Sequence, residues 1–314
     1  MSITKEQLKR RKKFICASDV SALFTDDEGR SLNPYANSLD IYTQKIFDLE
    51  PDKESDAQRL GNKYEELLIA FASNELGKNI ITSPDKLEFI NRDILDSNGK
   101  PFIIAHLDGY TENKPYEIVE CKTTSISSEY GESYTDDIPL HVILQVQFQM
   151  LCSNFKKAHI AVLLGRWGLK EELYVVERNE SIIDAIKTRI IQFWNGNVLV
   201  RIPPPESSLG NIQIFRRIVR TPEKTVEIDG DTLSAWADAK AARLMAEKQE
   251  RGTFAKVLEI LGDAEGATCS DGRLLTFFQQ VGADKIDRKT LKTKYPEIYN
   301  EVAEETHKRV ARLK

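Results

Sequence analysis

Two acids and a lysine fall on one short predicted hairpin, in the stretch HLDGYTENKPYEIVECKTT of residues 106–124. Asp108 ends an apolar run, a turn containing Asn and Pro follows, and a second run carries Glu120 and Lys122. Because side chains alternate along a strand, Glu120 and Lys122 project from the same face. The pattern therefore predicts a cluster of two carboxylates and one ammonium group.

Such a cluster could hydrolyse a phosphodiester bond. Two converging carboxylates repel one another unless a cation lies between them, and Mg²⁺ or Mn²⁺ prefers oxygen ligands. The lysine could orient or deprotonate a water, or stabilise the charge on a phosphate. The alternative is that Glu120 and Lys122 form a surface ion pair while Asp108 caps a turn, since short patterns also arise by chance.

A helix predicted over about residues 57–76 offers a third acid. Its apolar stripe predicts the buried face, which consists of Leu60, Tyr64, Leu67, Leu68 and Phe71. Glu65 lies off that stripe, in line with Gly61 and Ile69 one turn away on either side. Alone, Glu65 would be a partly buried acid paired with a base. Beside Asp108 and Glu120, a role in the metal site is the better interpretation.

A second helix, predicted to begin at Pro139, places glutamines near the same site. Gln145 and Gln147 flank its buried stripe on opposite sides, the stripe being Val142, Ile143, Val146 and Met150. A glutamine can hydrogen-bond a phosphate, a base edge or a water without adding charge. The polar segment 125–139 before this helix predicts a mobile loop over the site.

The chain opens with a strongly basic run over residues 3–13. Ser18 or Asp19 could cap a helix that starts at Val20, which would bring an anion-favouring helix N-terminus close to Arg11. The sequence therefore allows a phosphate site here. A solvated basic face is the strong alternative.

Length and composition exclude several classes of protein. The chain has 314 residues, a net charge of −5 and a pI of about 5.6, which is typical of one large domain with a smaller one. No apolar run approaches the roughly 20 residues that span a bilayer, and the N-terminus lacks a signal-peptide pattern, so we expect a cytoplasmic protein without membrane association. Isolated cysteines argue against zinc and iron–sulfur sites; they are Cys16, Cys121, Cys152 and Cys269.

The Pro-rich run that begins at Ile202 is the clearest linker. It predicts a catalytic domain over residues 1–205 and, over 206–314, a linker, a long helix and a small accessory module. Gly252 predicts a break in the long helix, which spans Leu233 to Leu261. The basic tract near residues 285–294 could extend a DNA path or be a solvated face.

Five motifs in order resemble those of the phage lambda-type exonucleases, or YqaJ-like viral recombinases, of the PD-(D/E)xK nuclease superfamily. The motifs are Arg11 with residues 15–18, residues 61–65, residues 107–109, residues 120–122 and residues 145–147. The resemblance implies an α/β restriction-endonuclease-like core, a mixed central sheet flanked by helices, with a mainly helical C-terminal extension. Leu107 stands where superfamily members often have Pro, at a position that contributes no ligand.

The resemblance also implies a metal site. Asp108, Glu120 and the backbone carbonyl of Cys121 would bind Mg²⁺, with Mn²⁺ as a substitute. Glu65 would help to hold the metal or its water, and Lys122 would assist the attacking water.

The same resemblance implies contacts with DNA by Arg11, Ser18, Gln145 and Gln147, with Gln145 the favoured glutamine in the site. The implied substrate is a linear duplex end, digested 5′ to 3′ to leave a 3′ single strand for a phage annealing protein. The setting would be a bacterial or phage-infected cell. Ring-shaped trimers are known in the family, so a homo-oligomer is an expectation.

Two other functions stay open. One is an endonuclease, or a RecB- or Cas4-like single-strand nuclease, on the same fold. The other is a non-catalytic DNA-binding accessory protein, which would normally have lost a metal acid or the lysine, whereas this chain keeps them all.

Overall fold

The chain forms two compact units in the computed structural model, Met1–Arg220 and Thr221–Lys314. The structure describes residues 10–50, 55–83, 87–125, 127–165, 168–205, 212–280, 282 and 287–303. The first part of the basic opening, most of the predicted linker after Pro205, and Lys285 lie outside these ranges. The first unit continues past the Pro-rich run to Arg220, so the functional boundary at residue 205 stays a prediction.

The described part of the first unit contains short strands in two sheets and five α-helices. The strands are β1 (Ile15–Cys16), β2 (Ile80–Ile81), β3 (Glu88–Ile90), β4 (Ile103–His106), β5 (Gly109–Thr111), β6 (Ile118–Thr124), β7 (Lys157–Gly165) and β8 (Leu169–Glu177). The helices are α1 (Ser38–Ile46), α2 (Asp56–Leu76), α3 (Leu140–Ser153), α4 (Glu180–Phe193) and α5 (Ile212–Arg217). A 3-10 helix covers Ala17–Leu23, and a π-helical turn, Trp194–Val198, follows α4.

The main sheet is mixed, with strand order β2-β5-β6-β7-β8. Strands β6 and β7 run parallel, whereas the other three pairs are antiparallel. A smaller sheet has the order β1-β4-β3. The expected α/β fold, a mixed sheet flanked by helices, is confirmed.

The chain passes from the smaller sheet to the main sheet immediately around Asp108. The apolar run before Asp108 forms β4, which pairs with β1 and β3 rather than with the strand of Glu120. The predicted hairpin partner is therefore corrected: β5, after Asp108, pairs with β6 and sets Gly109 opposite Val119.

Helices cover both faces of the central strands. On one side, Val142, Val146 and Met150 of α3 pack with Ile118, Ile160 and Val162 of the sheet. On the other side, Leu68 and Ala72 of α2 pack with Val119, Ala161 and Leu163. Because alternate residues face opposite sides of the sheet, the continuous apolar run of β7 gives both helices an apolar surface to pack against.

The buried face of α2 matches the predicted one only in part: Leu68 is buried as expected, and Tyr64 and Phe71 are partly buried, but Leu60 and Leu67 are not. Leu60 and Leu67 are 42% and 57% exposed, whereas Leu68 and Ala72 are buried against β6 and β7. Apolar spacing allowed two overlapping stripes, and the packing against the sheet selects the one that also carries Gly61 and Glu65.

The second unit, described by itself, is built on one long helix. Its elements are α6 (Gly230–Leu261), the antiparallel strands β9 (Gly266–Thr268) and β10 (Leu274–Thr276), α7 (Arg288–Lys294) and α8 (Pro296–Val302). The predicted break at Gly252 is wrong, because the helix continues through it. A glycine costs only about 1 kcal/mol in a helix, and the strong helix formers around it compensate. No described helix is both long and apolar enough to cross a membrane.

A buried ion pair joins α1 to the 3-10 helix. The Lys45 ammonium lies 2.6 Å from Asp19 Oδ2 and donates at 3.0 Å to the carbonyl of Arg11, and the side chains of Lys45 and Asp19 are almost fully buried. Burial would raise the pKa of Asp19, but Lys45 and Arg11 outweigh it and hold that pKa below its usual range.

We expect Lys45→Ala to lower the free energy of unfolding by about 3–5 kcal/mol at pH 7, because Asp19 would stay buried without its main partner. Since the pKa of Asp19 is lowered, this stabilisation is present above the unfolded-state value of about 3.9 and is lost as pH falls through the folded-state value. Urea unfolding of the wild type and the variant at several pH values measures this difference in the free energy of unfolding.

Lys187→Ala is the matched control, because its pair with Asp184 lies at the surface and contributes under about 1 kcal/mol. An equal effect of the two variants, or a Lys45→Ala deficit that does not shrink in acid, would contradict this account.

Candidate active site

Strand β6 holds Glu120 and Lys122 on the face that α3 covers. The Lys122 ammonium donates to Glu120 Oε1 at 2.5 Å, and Glu120 is only 3% exposed. Burial would lower the pKa of Lys122, but the carboxylates of Glu120 and Asp108 outweigh it and raise that pKa. Lys122 is therefore a cation at neutral pH.

Two glutamines of α3 hold the same carboxylate. Gln145 Nε2 donates to Glu120 Oε1 at 2.5 Å, and Gln145 Oε1 accepts a hydrogen bond from Lys122 at 3.1 Å. Gln149 Nε2 donates to Glu120 Oε2 at 2.7 Å. Gln145 and Gln149 are one helical turn apart and share a face of the helix. Three donors therefore fix both oxygens of Glu120.

Asp108 lies next to Glu120, at the junction between the two sheets. Its Oδ2 accepts a hydrogen bond from the backbone N–H of Cys121 at 2.8 Å. Burial, and then the charge of Glu120, raise the pKa of Asp108 to about 8, although Lys122 opposes them. Two carboxylates thus converge at a point where their charges are unfavourable without a further cation.

Helix α2 brings Glu65 towards the same point from the opposite side of β6. The Cys121 thiol donates weakly to the backbone carbonyl of Glu65 at 3.9 Å. A Cβ built on Gly61, one turn earlier, would lie 3.6 Å from Thr123 Oγ1, so the helix packs closely on the strand. Glu65 is more exposed than expected, and partial burial and Glu120 raise its pKa.

These groups fit a hard divalent cation. Mg²⁺ binds through one or two carboxylates, keeps several waters and takes further ligands from substrate phosphates. Within the described ranges, no three His, Cys, Asp or Glu side chains are grouped as ligands of one ion. The metal-binding roles of Asp108, Glu120 and Glu65 stay predictions. Burial, and then Asp108, raise the pKa of the Cys121 thiol, which keeps it protonated and a poor ligand for soft metals. The role of its carbonyl stays a prediction.

Gln147 does not face the site, which corrects the expectation that it contacts DNA. It is 1% exposed, its Nε2 donates to the carbonyl of Glu177 at 2.8 Å, and its Oε1 accepts from the backbone N–H of Asn179 at 2.9 Å. Both ends of the amide are therefore used to join α3 to the end of β8 and the start of α4.

The sequence interpretation missed Gln149. The available signal was its spacing of four residues from Gln145, which places both on one face of a helix. Gln149 is 1% exposed, and its Oε1 is buried without a hydrogen-bond partner.

Arg11 and Ser18 form a second polar cluster. Arg11 Nη2 donates to Ser18 Oγ at 2.9 Å and to Asp19 Oδ1 at 3.3 Å, and the Arg11 side chain is 30% exposed. Ser18 and Asp19 lie inside the helix and not before it as expected, and Asp19 caps it from its third position. That helix begins at Ala17, and Asp19 accepts from the backbone N–H of Cys16 at 3.0 Å. Two cations, Arg11 and Lys45, share the single carboxylate of Asp19, so the cluster favours an anion.

The sequence of residues 6–156 matches the family model of the YqaJ-like viral recombinase domain. Residues 6–156 are a YqaJ-like viral recombinase domain. This YqaJ-like domain contains both polar clusters, from Arg11 to Gln149. The protein YqaJ of Bacillus subtilis (strain 168), which is itself uncharacterised, is 27% identical over 311 residues, or 96% of this chain and 91% of that protein.

Solved structures similar to this chain include two exonucleases. An alkaline exonuclease from Laribacter hongkongensis is 18% identical, with a TM-score of 0.46 over 63% of this chain and 94% of its own. A phage-related exonuclease from Haemophilus somnus 129PT is 13% identical, with a TM-score of 0.44 over 60% of this chain and 96% of its own.

We expect Asp108→Asn to stabilise the metal-free protein at pH 8.5. Because the pKa of Asp108 is raised to about 8, its contribution to stability is present below the unfolded-state value and is lost as pH rises through 8. The neutral amide avoids that loss. Urea unfolding in EDTA should show that the free energy of unfolding of the variant rises relative to that of the wild type between pH 5 and 8.5. A difference that does not depend on pH would contradict this prediction.

Gln149→Met should weaken Mg²⁺ binding about 10–100-fold, because groups that orient a metal ligand contribute about that much to affinity. Gln147→Met is the matched control: it has the same residue change on the same helix, but it should leave metal affinity unchanged. Isothermal titration calorimetry measures the affinity, and the melting temperature in EDTA reports the fold. Equal metal affinities in the two variants would exclude this role for Gln149.

Proposed function

We propose that this chain is a Mg²⁺-dependent exonuclease that hydrolyses linear duplex DNA from its ends. The observation that carries the proposal is the pair of close carboxylates, Asp108 and Glu120, with the Lys122 ammonium bonded to one of them. A nuclease of the YqaJ-like family needs such a charge arrangement, whereas an accessory protein would gain nothing from holding two repelling acids together.

Each residue has a separate task in the proposed reaction. A bound divalent ion would polarise the scissile phosphate and lower the pKa of a water. Asp108 and Glu120 would hold that ion, with Glu65 on the exposed side. Lys122, as a cation, donates to the attacking water and stabilises negative charge on the phosphate. Gln145 bonds to both Lys122 and Glu120 and so fixes the positions of these two side chains relative to each other.

The Arg11 cluster would bind a phosphate of the DNA end. Arg11 is held by Asp19 and Ser18, so its guanidinium is oriented before DNA arrives, which reduces the entropy lost on binding. The 5′ to 3′ direction, the annealing partner and a ring-shaped homo-oligomer rest on the family resemblance alone.

The test uses linear and circular duplex DNA, the linear ends carrying distinct 5′ and 3′ labels, with Mg²⁺ and with EDTA. We expect Mg²⁺-dependent loss of the 5′ label from linear DNA and no cleavage of the circle. Nicking of the circle would favour an endonuclease, and release of the 3′ label first would reverse the direction.

Lys122→Ala separates catalysis from binding. It should abolish cleavage and leave DNA affinity nearly intact, because Lys122 acts on the reacting phosphate rather than on the end of the duplex. Gel-shift titration beside the cleavage assay measures both. Full activity in this variant would end the assignment, and binding without cleavage by the wild type would favour an accessory protein.

A further inference from the structure

Tyr35 is the most exposed large apolar or aromatic residue in the part of the chain that the structure describes, at 87%. It lies in the loop between the 3-10 helix and α1. Single exposed aromatic residues are common on protein surfaces. The loop that carries Tyr35 and the groups around it set this residue apart.

The loop is braced by hydrogen bonds. Asn33 Oδ1 accepts from the backbone N–H of Tyr35 at 2.8 Å and of Ala36 at 3.0 Å. Asn33 Nδ2 donates to Ser21 Oγ at 2.9 Å, and Ser31 Oγ donates to the carbonyl of Ala36 at 2.7 Å. The backbone at Tyr35 is therefore held in place while its ring faces solvent, so only side-chain entropy, and no backbone entropy, would be lost when the ring binds a nucleobase.

The loop adjoins the Arg11 cluster. Asn33 Nδ2 also approaches the carbonyl of Ser18 at 3.4 Å, and the hydroxyl of Ser18 accepts from Arg11. The loop that carries the exposed ring therefore contacts Ser18, the residue whose hydroxyl orients Arg11. The combination of a cation and an exposed ring is typical of sites that bind single-stranded nucleic acid, where the cation takes the phosphate and the ring takes the base.

Tyr35 and Lys122 both affect the electrostatics of one residue, Tyr130. Burial, opposed by Lys122, raises the pKa of Tyr130 to about 12, and Glu129 and Tyr35 add to the rise. Tyr130 is therefore within electrostatic range of both Lys122 and Tyr35.

We propose that the ring of Tyr35 stacks on the terminal nucleobase of the DNA strand whose phosphate binds at Arg11. The inference rests on the proposed function. Stacking of a base on an aromatic ring contributes about 1–3 kcal/mol and tolerates any base, because every base has a π-face. Tyr35 would therefore favour an unpaired end without selecting its sequence.

The test uses duplex DNA with 2-aminopurine at the 5′ terminus, whose fluorescence falls when the base stacks. Binding is measured in the Lys122→Ala protein with Mg²⁺, so that cleavage does not interfere. We expect quenching with this protein and with the added Tyr35→Phe change. Adding Tyr35→Ala should abolish the quenching and weaken binding about 5–150-fold, which corresponds to about 1–3 kcal/mol.

Tyr134→Ala is the matched control, because Tyr134 is also exposed and its hydroxyl donates to Glu75, about 15 Å along α2 from Glu65. It should bind and quench like the parent protein. Undiminished quenching with Tyr35→Ala, or equal loss with Tyr35→Phe, would overturn the stacking role while Mg²⁺-dependent cleavage by the wild type still supported the nuclease. Absence of DNA binding by every variant, with no cleavage by the wild type, would overturn both proposals.

Discussion

The site depends on the repulsion between the carboxylates of Asp108 and Glu120. The protein opposes this repulsion by giving Glu120 three hydrogen-bond donors and by placing the ammonium of Lys122 among them. Asp108 has one backbone donor, and burial leaves it with a pKa raised to about 8. Such an arrangement is costly in a protein without a cation and favourable with one, which is why the charge pattern carries more weight than the motif alone.

The surrounding fold keeps these charges in place through close packing. A Cβ on Gly109 would lie 2.6 Å from Ile80 Cγ2 and 3.1 Å from Ile69 Cδ1, so only glycine lets β2 and α2 approach the strand directly after Asp108. On the other face, the apolar residues Val142, Val146 and Met150 set the rotation of α3. That rotation turns Gln145 and Gln149 towards Glu120. The packing of α3 on the sheet therefore also fixes the geometry of the site.

Much of the fold was predictable because its signals are local. The alternation around Glu120 and Lys122, the continuous apolar run of β7 and the start of α3 after Pro139 each follow from short-range preferences. One error fell where a choice depended on distant residues, and another where a local helix preference outweighed a single glycine. The stripe on α2 was displaced because the sheet selects between two possible apolar faces, and Gly252 did not break α6 because its neighbours favour the helix.

The sequence by itself determined the residue types of the site, their order and the strand period that puts Glu120 and Lys122 on one face. Only the tertiary structure decided which glutamines face them. Gln145 and Gln149 contact Glu120, while Gln147 binds backbone of β8 and α4. It also decided that Asp19 pairs with Lys45 and closes the start of the 3-10 helix from its third position, by accepting from the backbone N–H of Cys16. The physical reason is that periodicity fixes relative directions within an element, whereas its rotation against other elements depends on contacts between residues far apart in the chain.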